Sequence, residues 1–561
     1  MRRYYYYLLF IGLFVPFVPI KAENSFVQGI FKYIIEDKVY DKGNGEHAVL
    51  GDTTVRITTV NQAELTIPMF SDSVLVIPGH VVHNGYKYQV STVDQRAFAR
   101  CHSLETLIIS EGVECIFADA FYGCTNLQSV HFPSTLQVME DNAFRYCPNL
   151  REINVDGKNK RYYSLRGCNV LIDRYYGGQL VMGCYTSFIP KGVKNIGRGA
   201  FEGSLRLEHI TVPEGVDEME GMVFMGCANL KSVSLPNSLK IIGCSTFAGC
   251  TSLKSVRIPE NVSQIGNKLG CAQFAGCLRL DTIIVDKKNK VYDSREGCNA
   301  IVETACDKIV SGCRTTRIVD GIKEIGDFAF SNVMLSGIAI PKTVTKIGDR
   351  AFAGCVTCVL ITVDEDNPVY DSRGGCNAVI ETATNKIVLG CINTSFPETV
   401  KEIGKHCFCG MKLPQTLQIP GTISKIGWGA FSASSGLERV FIPASVKEMD
   451  SFVFDSCENL REVYWNGFVE EIPPYAFSGC VRLFFFEVPE GTKVIHDSAF
   501  QGCERLSCIA LPSTLELIEI RAFDGVPCEE LVKKNHASVL ASNYGKSQGC
   551  THHCITWEVE E

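Results

Sequence analysis

Positive charge is in short supply. The 561-residue chain carries 54 Lys and Arg against 62 Asp and Glu, for a net charge of −8. No basic block exists to neutralise a phosphate backbone, so nucleic acid is not an expected partner. Catalytic signatures are missing too: there is no G-x-S-x-G elbow, no P-loop, no H-E-x-x-H and no dinucleotide fingerprint in context. The chain is therefore expected not to be an enzyme and to need no cofactor. A Cys–His pair among the 27 cysteines is the residual catalytic alternative. The acidic stretch "DEDN" (Asp364–Asn367) matches no Ca2+ loop and reads as a solvated turn.

Long apolar runs are confined to the N-terminus, "MRRYYYYLLFIGLFVPFVPIKA". Arg2 and Arg3 form a basic n-region, an apolar stretch follows, and Ala22 is a small residue suited to cleavage. Residues 1–22 are read as a signal peptide. A membrane anchor is the alternative, but the run is short for a span of roughly 20 residues and is broken by Pro16 and Pro19. No second apolar span follows, so the mature chain is expected to be exported with no transmembrane segment. No cysteine follows the apolar stretch before Cys101, which argues against an N-terminal lipoprotein, and no anchor or sorting motif is evident.

What is abundant is self-similarity. A single core rarely exceeds about 250–300 residues, so this length implies several domains or one repeat array. "AFYGCTNLQSVHFPSTLQVMEDNAF" (Ala120–Phe144) aligns with "AFEGSLRLEHITVPEGVDEMEGMVF" (Ala200–Phe224) and with "AFQGCERLSCIALPSTL" (Ala499–Leu515). The shared pattern is A-F-x-x-C-x-x-L-x-x-V-x-I-P-x-x-V-x-x-I-G-x-x-A-F. Its phenylalanines include Phe121, Phe144, Phe201, Phe224, Phe247, Phe431, Phe454, Phe477 and Phe500, and most steps are 23 residues. A unit this small cannot bury its own apolar face, so stacked units must share one core. L-x-x-V-x-I alternates and is rich in β-branched residues, predicting a short strand ended by Pro. I-G-x-x-A-F is expected to turn at Gly and drive Phe inward, giving an aromatic spine.

The pattern resembles the BspA-type, or Treponema pallidum-type, leucine-rich repeat over about Val74–Val526. That resemblance implies a curved, β-rich repeat solenoid with a parallel sheet on its concave face. It also implies a bacterial surface or secreted protein linked to adhesion and to binding host or matrix proteins. On this basis residues 23–90 are read as an N-terminal β-rich cap, with a tight hairpin at Asn84-Gly85. Residues 91–526 are read as about 15 coils and 527–561 as a C-terminal cap. A 27-residue step from Phe247 to Phe274 marks a local insertion around Gly266–Cys271.

Three steps are longer still, at 57, 56 and 56 residues, leaving inserts near 156–189, 286–318 and 364–396. Each begins with Asp where the strand's Pro is expected: Asp156, Asp286 and Asp364. Each contains a cysteine-bounded segment such as "GCNAVIETATNKIVLGC" (Gly375–Cys391). In a hairpin, opposed residues have a constant sum of positions. Cys376 with Cys391, Ile380 with Ile387 and Glu381 with Lys386 share one sum, as do Cys298 with Cys313 and Glu303 with Lys308. Three β-hairpins are therefore expected, with the two cysteines opposed and Cys376, Ala378, Ile380, Ile387, Leu389 and Cys391 on one packed face. The first copy has one extra residue, and its register is expected to shift.

Ten of the 27 cysteines lie three residues after a ladder Phe. Stacked in register they point the same way, which suits a column of small buried apolar side chains better than disulfides. The insert pairs Cys168/Cys184, Cys298/Cys313 and Cys376/Cys391 are candidate disulfides, with buried free thiols the alternative. No metal site is expected: no His accompanies these pairs. The C-terminal "CTHHC" (Cys550–Cys554) suits a local disulfide better than zinc.

Outward strand positions are mostly small and polar in the first half. Near the end they become Arg439/Phe441, Glu462/Tyr464 and Phe485/Glu487, a candidate ligand-binding cluster of aromatics flanked by charge. Ordinary surface aromatics, or cover by the C-terminal cap, are the alternative. The leading expectation is a monomeric, exported interaction or adhesion protein that binds a protein or glycan through the concave face. A self-associating structural surface component is second and an enzyme third.

Overall fold

The computed structural model describes residues 25–28, 31–41, 47–58, 73–266 and 272–527. The expected signal peptide, nearly all of the expected C-terminal cap with its CTHHC segment, and most of the insertion at Gly266–Cys271 lie outside these residues. The chain divides into two units, Met1–Asp293 and Ser294–Glu561.

Each coil lays down two strands. The L-x-x-V-x-I piece forms the longer one. In the first unit Thr106–Ile109, Ser129–Phe132 and Glu152–Val155 run parallel with Leu107, Val130 and Ile153 in register. The second strand has two residues, as in Cys115–Ile116 and Val138–Met139, and builds a separate parallel sheet. At the start of this unit, Ser25–Gln28, Phe31–Asp41 and His47–Thr58 pair antiparallel in succession. His80–His83 and Tyr86–Val93 form a hairpin turned at Asn84 and Gly85, both at positive φ.

The corner before each Phe differs from the sequence expectation. Except at Gly266, which precedes the local insertion, the Gly of I-G-x-x-A-F is not where the chain turns left-handed. The positive φ falls two residues before the ladder Phe, at Asp119, Asn142, Met222, Ser245, Phe452 and Tyr475 among others. The I-G glycine answers a different demand, close approach of the neighbouring coil. A Cβ on Gly348 would lie 2.5 Å from the backbone nitrogen of Asp327.

The phenylalanines form stacked columns. In the first unit Phe98, Phe121 and Phe144 stack at 5.4 and 4.9 Å between centroids, and Phe201, Phe224, Phe247 and Phe274 continue at 5.4–5.9 Å. In the second, Phe408, Phe431, Phe454, Phe477, Phe500 and Phe523 stack at 5.2–5.5 Å with interplanar angles of 4–11°. Each backbone is tied to the next coil as well: the Phe431 amide donates to Val453 and the Phe454 amide to Ala476, both at 2.9 Å.

The cysteine column is more than small apolar packing. The Cys457 thiol donates to the carbonyl of Phe431 at 3.2 Å, one coil back, and Cys480 and Cys503 repeat the contact to Phe454 and Phe477. Where the column holds Ser434 instead, its hydroxyl makes the same bond to Phe408 at 3.2 Å. Val333 and Met411 take the same place after Phe330 and Phe408, so the bond is a frequent addition to the column and not a requirement of it.

Within each insert two strands pair antiparallel: Val170–Asp173 with Gln179–Gly183, Ala300–Glu303 with Lys308–Gly312, and Ala378–Glu381 with Lys386–Gly390. Glu381 faces Lys386, with their charged groups 3.2 Å apart. The cysteines, however, are not opposed. A bulge between Val379 and Ile380 adds one residue to the opposite strand, so Ala378 faces Gly390 and Cys391 falls out of line with Cys376. The same bulge displaces Cys298 from Cys313 and Cys168 from Cys184, and all six side chains are buried. In the first copy the extra residue is absorbed by the turn between Asp173 and Gln179, and the bulge keeps its place. The one-face pattern also gives way, because Ala378, Val379 and Ile380 are all fully buried. Their strand lies inside a sheet, between Tyr370–Asp371 and Lys386–Gly390.

The second strand of each hairpin joins the parallel ladder. Leu180 aligns with Ile196, Ile309 with Ile325, and Ile387 with Ile403. The inserts are thus additional turns, and the array is a solenoid of about 18 turns rather than about 15. Two features fit them in. The Asn of D-x-x-N-x-x-Y reaches one coil back: Asn159 Nδ2 donates to the carbonyls of Pro133 and Leu136, and Asn367 to those of Pro341 and Val344. At the other end a Gly-Cys pair meets the next ladder Phe. A Cβ on Gly183, Gly312 or Gly390 would lie 2.0–2.2 Å from the ring of Phe201, Phe330 or Phe408.

Two outcomes follow for stability. Phe454→Ala opens a cavity in the stack and should cost about 3–5 kcal/mol in chemical unfolding. Gly390→Ala adds a single methyl against the Phe408 ring and should cost at least ~1–3 kcal/mol through overpacking. A melting temperature equal to wild type for Gly390→Ala would show that the insert does not abut the column.

Candidate functional site

The parallel sheet dictates how outward side chains meet. Neighbouring strands lie about 4.8 Å apart, so residues at one register position stand side by side. Thr416–Gln418, Arg439–Ile442 and Glu462–Trp465 pair in this way, aligning Arg439 with Glu462 and Phe441 with Tyr464. Val440, Ile442, Val463 and Trp465 point inward and are buried. Outward, the Phe441 and Tyr464 rings stack at 4.7 Å and 8°. Arg439 Nε donates to Glu462 Oε2 at 3.1 Å, and the Tyr464 hydroxyl donates to the same oxygen at 2.9 Å. That hydrogen bond to a carboxylate pushes the Tyr464 phenol above its ordinary value.

The structure brings four of the six expected residues together in a chain of contacts, from Arg439 to Glu462 to Tyr464 to Phe441. Phe485 and Glu487 lie on a different strand pair, aligned with Cys508 and Ala510. Both are exposed, but neither belongs to the hydrogen-bonded sheet that carries the other four. Tyr464 and Phe485 remain 45 % and 40 % exposed, enough for a partner to cover.

A second aromatic track went unread in the sequence. His406, Trp428, Phe452 and Tyr475 follow one another at 4.7, 4.9 and 4.5 Å between centroids. Arg350 lies 5.5 Å from the Trp428 ring. Its Nε donates to His406 Nε2 at 3.1 Å, while His406 Nδ1 meets Asp349 Oδ1 at 2.7 Å. An Nε2 that accepts and an Nδ1 that donates describe a neutral imidazole. Burial pushes His406 down, opposed by Asp349. The signal was positional: His406, Phe452 and Tyr475 each sit two residues before a ladder Phe.

Among the described residues no group of three or more His, Cys, Asp and Glu could hold a metal ion, and no helix is long and apolar enough to cross a membrane. A partly open cavity of about 30 Å³ is lined by Asn142, Arg145, Gly183 and Glu202, a volume suited to a single water rather than a substrate. Glu202 is 4 % exposed, and burial pushes its carboxyl up to about 7, against the pull of Arg145. Arg145 Nε lies 2.7 Å from Asp119 and its Nη1 3.8 Å from Glu202, so one guanidinium serves two carboxylates.

The sign of the pH effect follows. A carboxyl whose folded value is raised binds its proton more tightly when folded, so its contribution is fully present below about 4.5 and lost as pH rises through about 7. Glu202→Gln should abolish that loss: the variant should gain stability relative to wild type between pH 5 and 8 in thermal unfolding. An equal pH slope in both proteins would contradict the assignment.

Three solved structures are similar to the chain at low identity. A leucine rich cell surface protein from Faecalibacterium prausnitzii is 21% identical, covering 92% of this chain and 96% of its own, with a TM-score of 0.34. The pneumococcal vaccine antigen PcpA is 13% identical over 91% and 99% of the two chains, with a TM-score of 0.34. The Treponema pallidum leucine-rich repeat protein is 22% identical over 44% and 91%, with a TM-score of 0.24. No protein of curated function matches the sequence. The family model for the BspA type leucine rich repeat region matches in 6 copies across residues 85–171, 184–296, 303–371, 389–504 and 470–544. With this model matched over more than half of its length, the chain belongs to the BspA-type leucine-rich repeat family.

Proposed function

We propose that the chain is an exported, monomeric interaction protein of a bacterial surface, binding a protein or glycan ligand without covalent chemistry. Its binding face is the outward side of the strands Thr416–Gln418, Arg439–Ile442 and Glu462–Trp465. The observation that carries this reading is the Phe441–Tyr464 stack beside the Arg439–Glu462 ion pair. Rigid aromatic area adjoining charge is the composition of interaction hot spots. Here it is ordered before any ligand arrives, which lowers the entropic cost of binding. Phe485 and Glu487 extend the face towards the C-terminal coils. Adhesion to a host or matrix component is the role that suits such a surface.

The test is a protein and glycan array probed with the full chain and with the double variant Phe441→Ala/Tyr464→Ala. Saturable binding that falls at least tenfold in the variant, with unchanged circular dichroism, is expected. Concentration-dependent self-assembly with no foreign ligand bound would overturn the reading in favour of a structural surface component.

A further inference from the structure

The third insert differs from the other two at the coil it follows. Six residues after a ladder Phe the array places Leu, as in Leu104, Leu150, Leu253, Leu280 and Leu483. After Phe352 that place is taken by Cys358. The exchange is not neutral, because the insert's own Cys391 comes to meet it. Both sulfurs belong to residues 1 % exposed within one apolar cluster, and each thiol shifts the other's proton affinity, Cys358 upward and Cys391 downward.

The surrounding backbone locks this encounter. Asn393, two residues after Cys391, donates from Nδ2 to the carbonyl of Val359 at 3.1 Å. Asn377, whose carbonyl accepts from Cys391 Sγ at 3.5 Å, also accepts from the Ile361 amide through Oδ1 at 3.4 Å. Each cysteine is thus flanked by residues bonded to the other's neighbours. Cys376, the partner that spacing suggests, is drawn elsewhere: the bulge displaces it, and its sulfur lies 3.9 Å from the Ser372 hydroxyl.

We propose that Cys358 and Cys391 are joined by a disulfide in the mature protein, stapling the third insert to its coil. The bond rests on the export reading for its oxidising surroundings, though the pairing does not. The oxidant is a disulfide, small-molecule or protein-borne. One thiolate attacks it and releases one thiol, forming a mixed disulfide. The second thiolate attacks that mixed bond at the protein sulfur and releases a second thiol. Two protein thiols are oxidised, one external disulfide is reduced, and the two protons leave on the released thiols. Because both sulfurs are buried in the folded chain, the bond must form as the insert docks.

Refolding of the full chain from denaturant in oxidised and reduced glutathione tests the pairing independently of cellular address. After trapping with N-ethylmaleimide and digestion, mass spectrometry should find the Cys358 and Cys391 peptides linked, while Cys184 and Cys313, whose coils carry Leu150 and Leu280, are alkylated. Cys358→Leu restores the array's own residue and should leave Cys391 alkylated. Cys358→Ser serves the same purpose should leucine disturb folding. Alkylation of both cysteines in refolded wild type, or a Cys376–Cys391 link, would overturn the proposal. A link formed in glutathione but missing from protein recovered from its source would overturn the disulfide in the mature protein and count against export, leaving the pairing geometry intact.

Discussion

In-register stacking of like on like is the constraint from which the rest follows. A 23-residue coil has no core of its own, so each ladder Phe is buried only because another Phe lies about 5 Å away. The backbone repeats the lesson, since the amide of one ladder Phe reaches the residue before the next, as Phe431 does to Val453. The cysteine column adds a third tie, in which the sulfur of Cys457 reaches the carbonyl of Phe431 one coil back. Every position that supports this translation is tightly selected. Positions facing outward are free to vary, and a binding surface can be written there at little structural cost.

The three inserts show how far the translation tolerates interruption. They do not leave the array; they become turns of it, docking by a reaching Asn at one end and a Gly-Cys pair at the other. Each hairpin carries a one-residue bulge at the same place. The same bulge decides the sulfur chemistry. It separates Cys376 from Cys391 and leaves Cys391 to the coil that carries Cys358 in place of Leu.

Much of this was legible in the sequence, for a physical reason. A fold that repeats must repeat its buried residues, so the Phe, Leu and Cys positions announce themselves by period. The four contacting residues of the candidate face were legible because strand alternation tells inward from outward. Three things were not. A bulge leaves no mark in residue type, so a constant-sum register that holds for Glu381 with Lys386 and Ile380 with Ile387 does not reach across the bulge to Cys376 and Cys391. The corner before each Phe tolerates Asp, Met, Ser, Phe or Tyr at positive φ, and this variety hid both the turn and the aromatic track of His406, Trp428, Phe452 and Tyr475. The Asn of D-x-x-N-x-x-Y was present three times, but while its Oδ1 closes a local turn its Nδ2 bonds go to another coil, and nothing local signals those.

Native-state hydrogen exchange across residues 400–525 tests most directly the claim that register stacking organises the chain. The account predicts that the amides of Phe408, Phe431, Phe454, Phe477 and Phe500, each bonded to the neighbouring coil at 2.8–2.9 Å, exchange as slowly as those of the inward strand residues Val440 and Val463. Rapid exchange of the phenylalanine amides while the strand amides stay protected would contradict it, placing the organising interaction in the sheet rather than in the column.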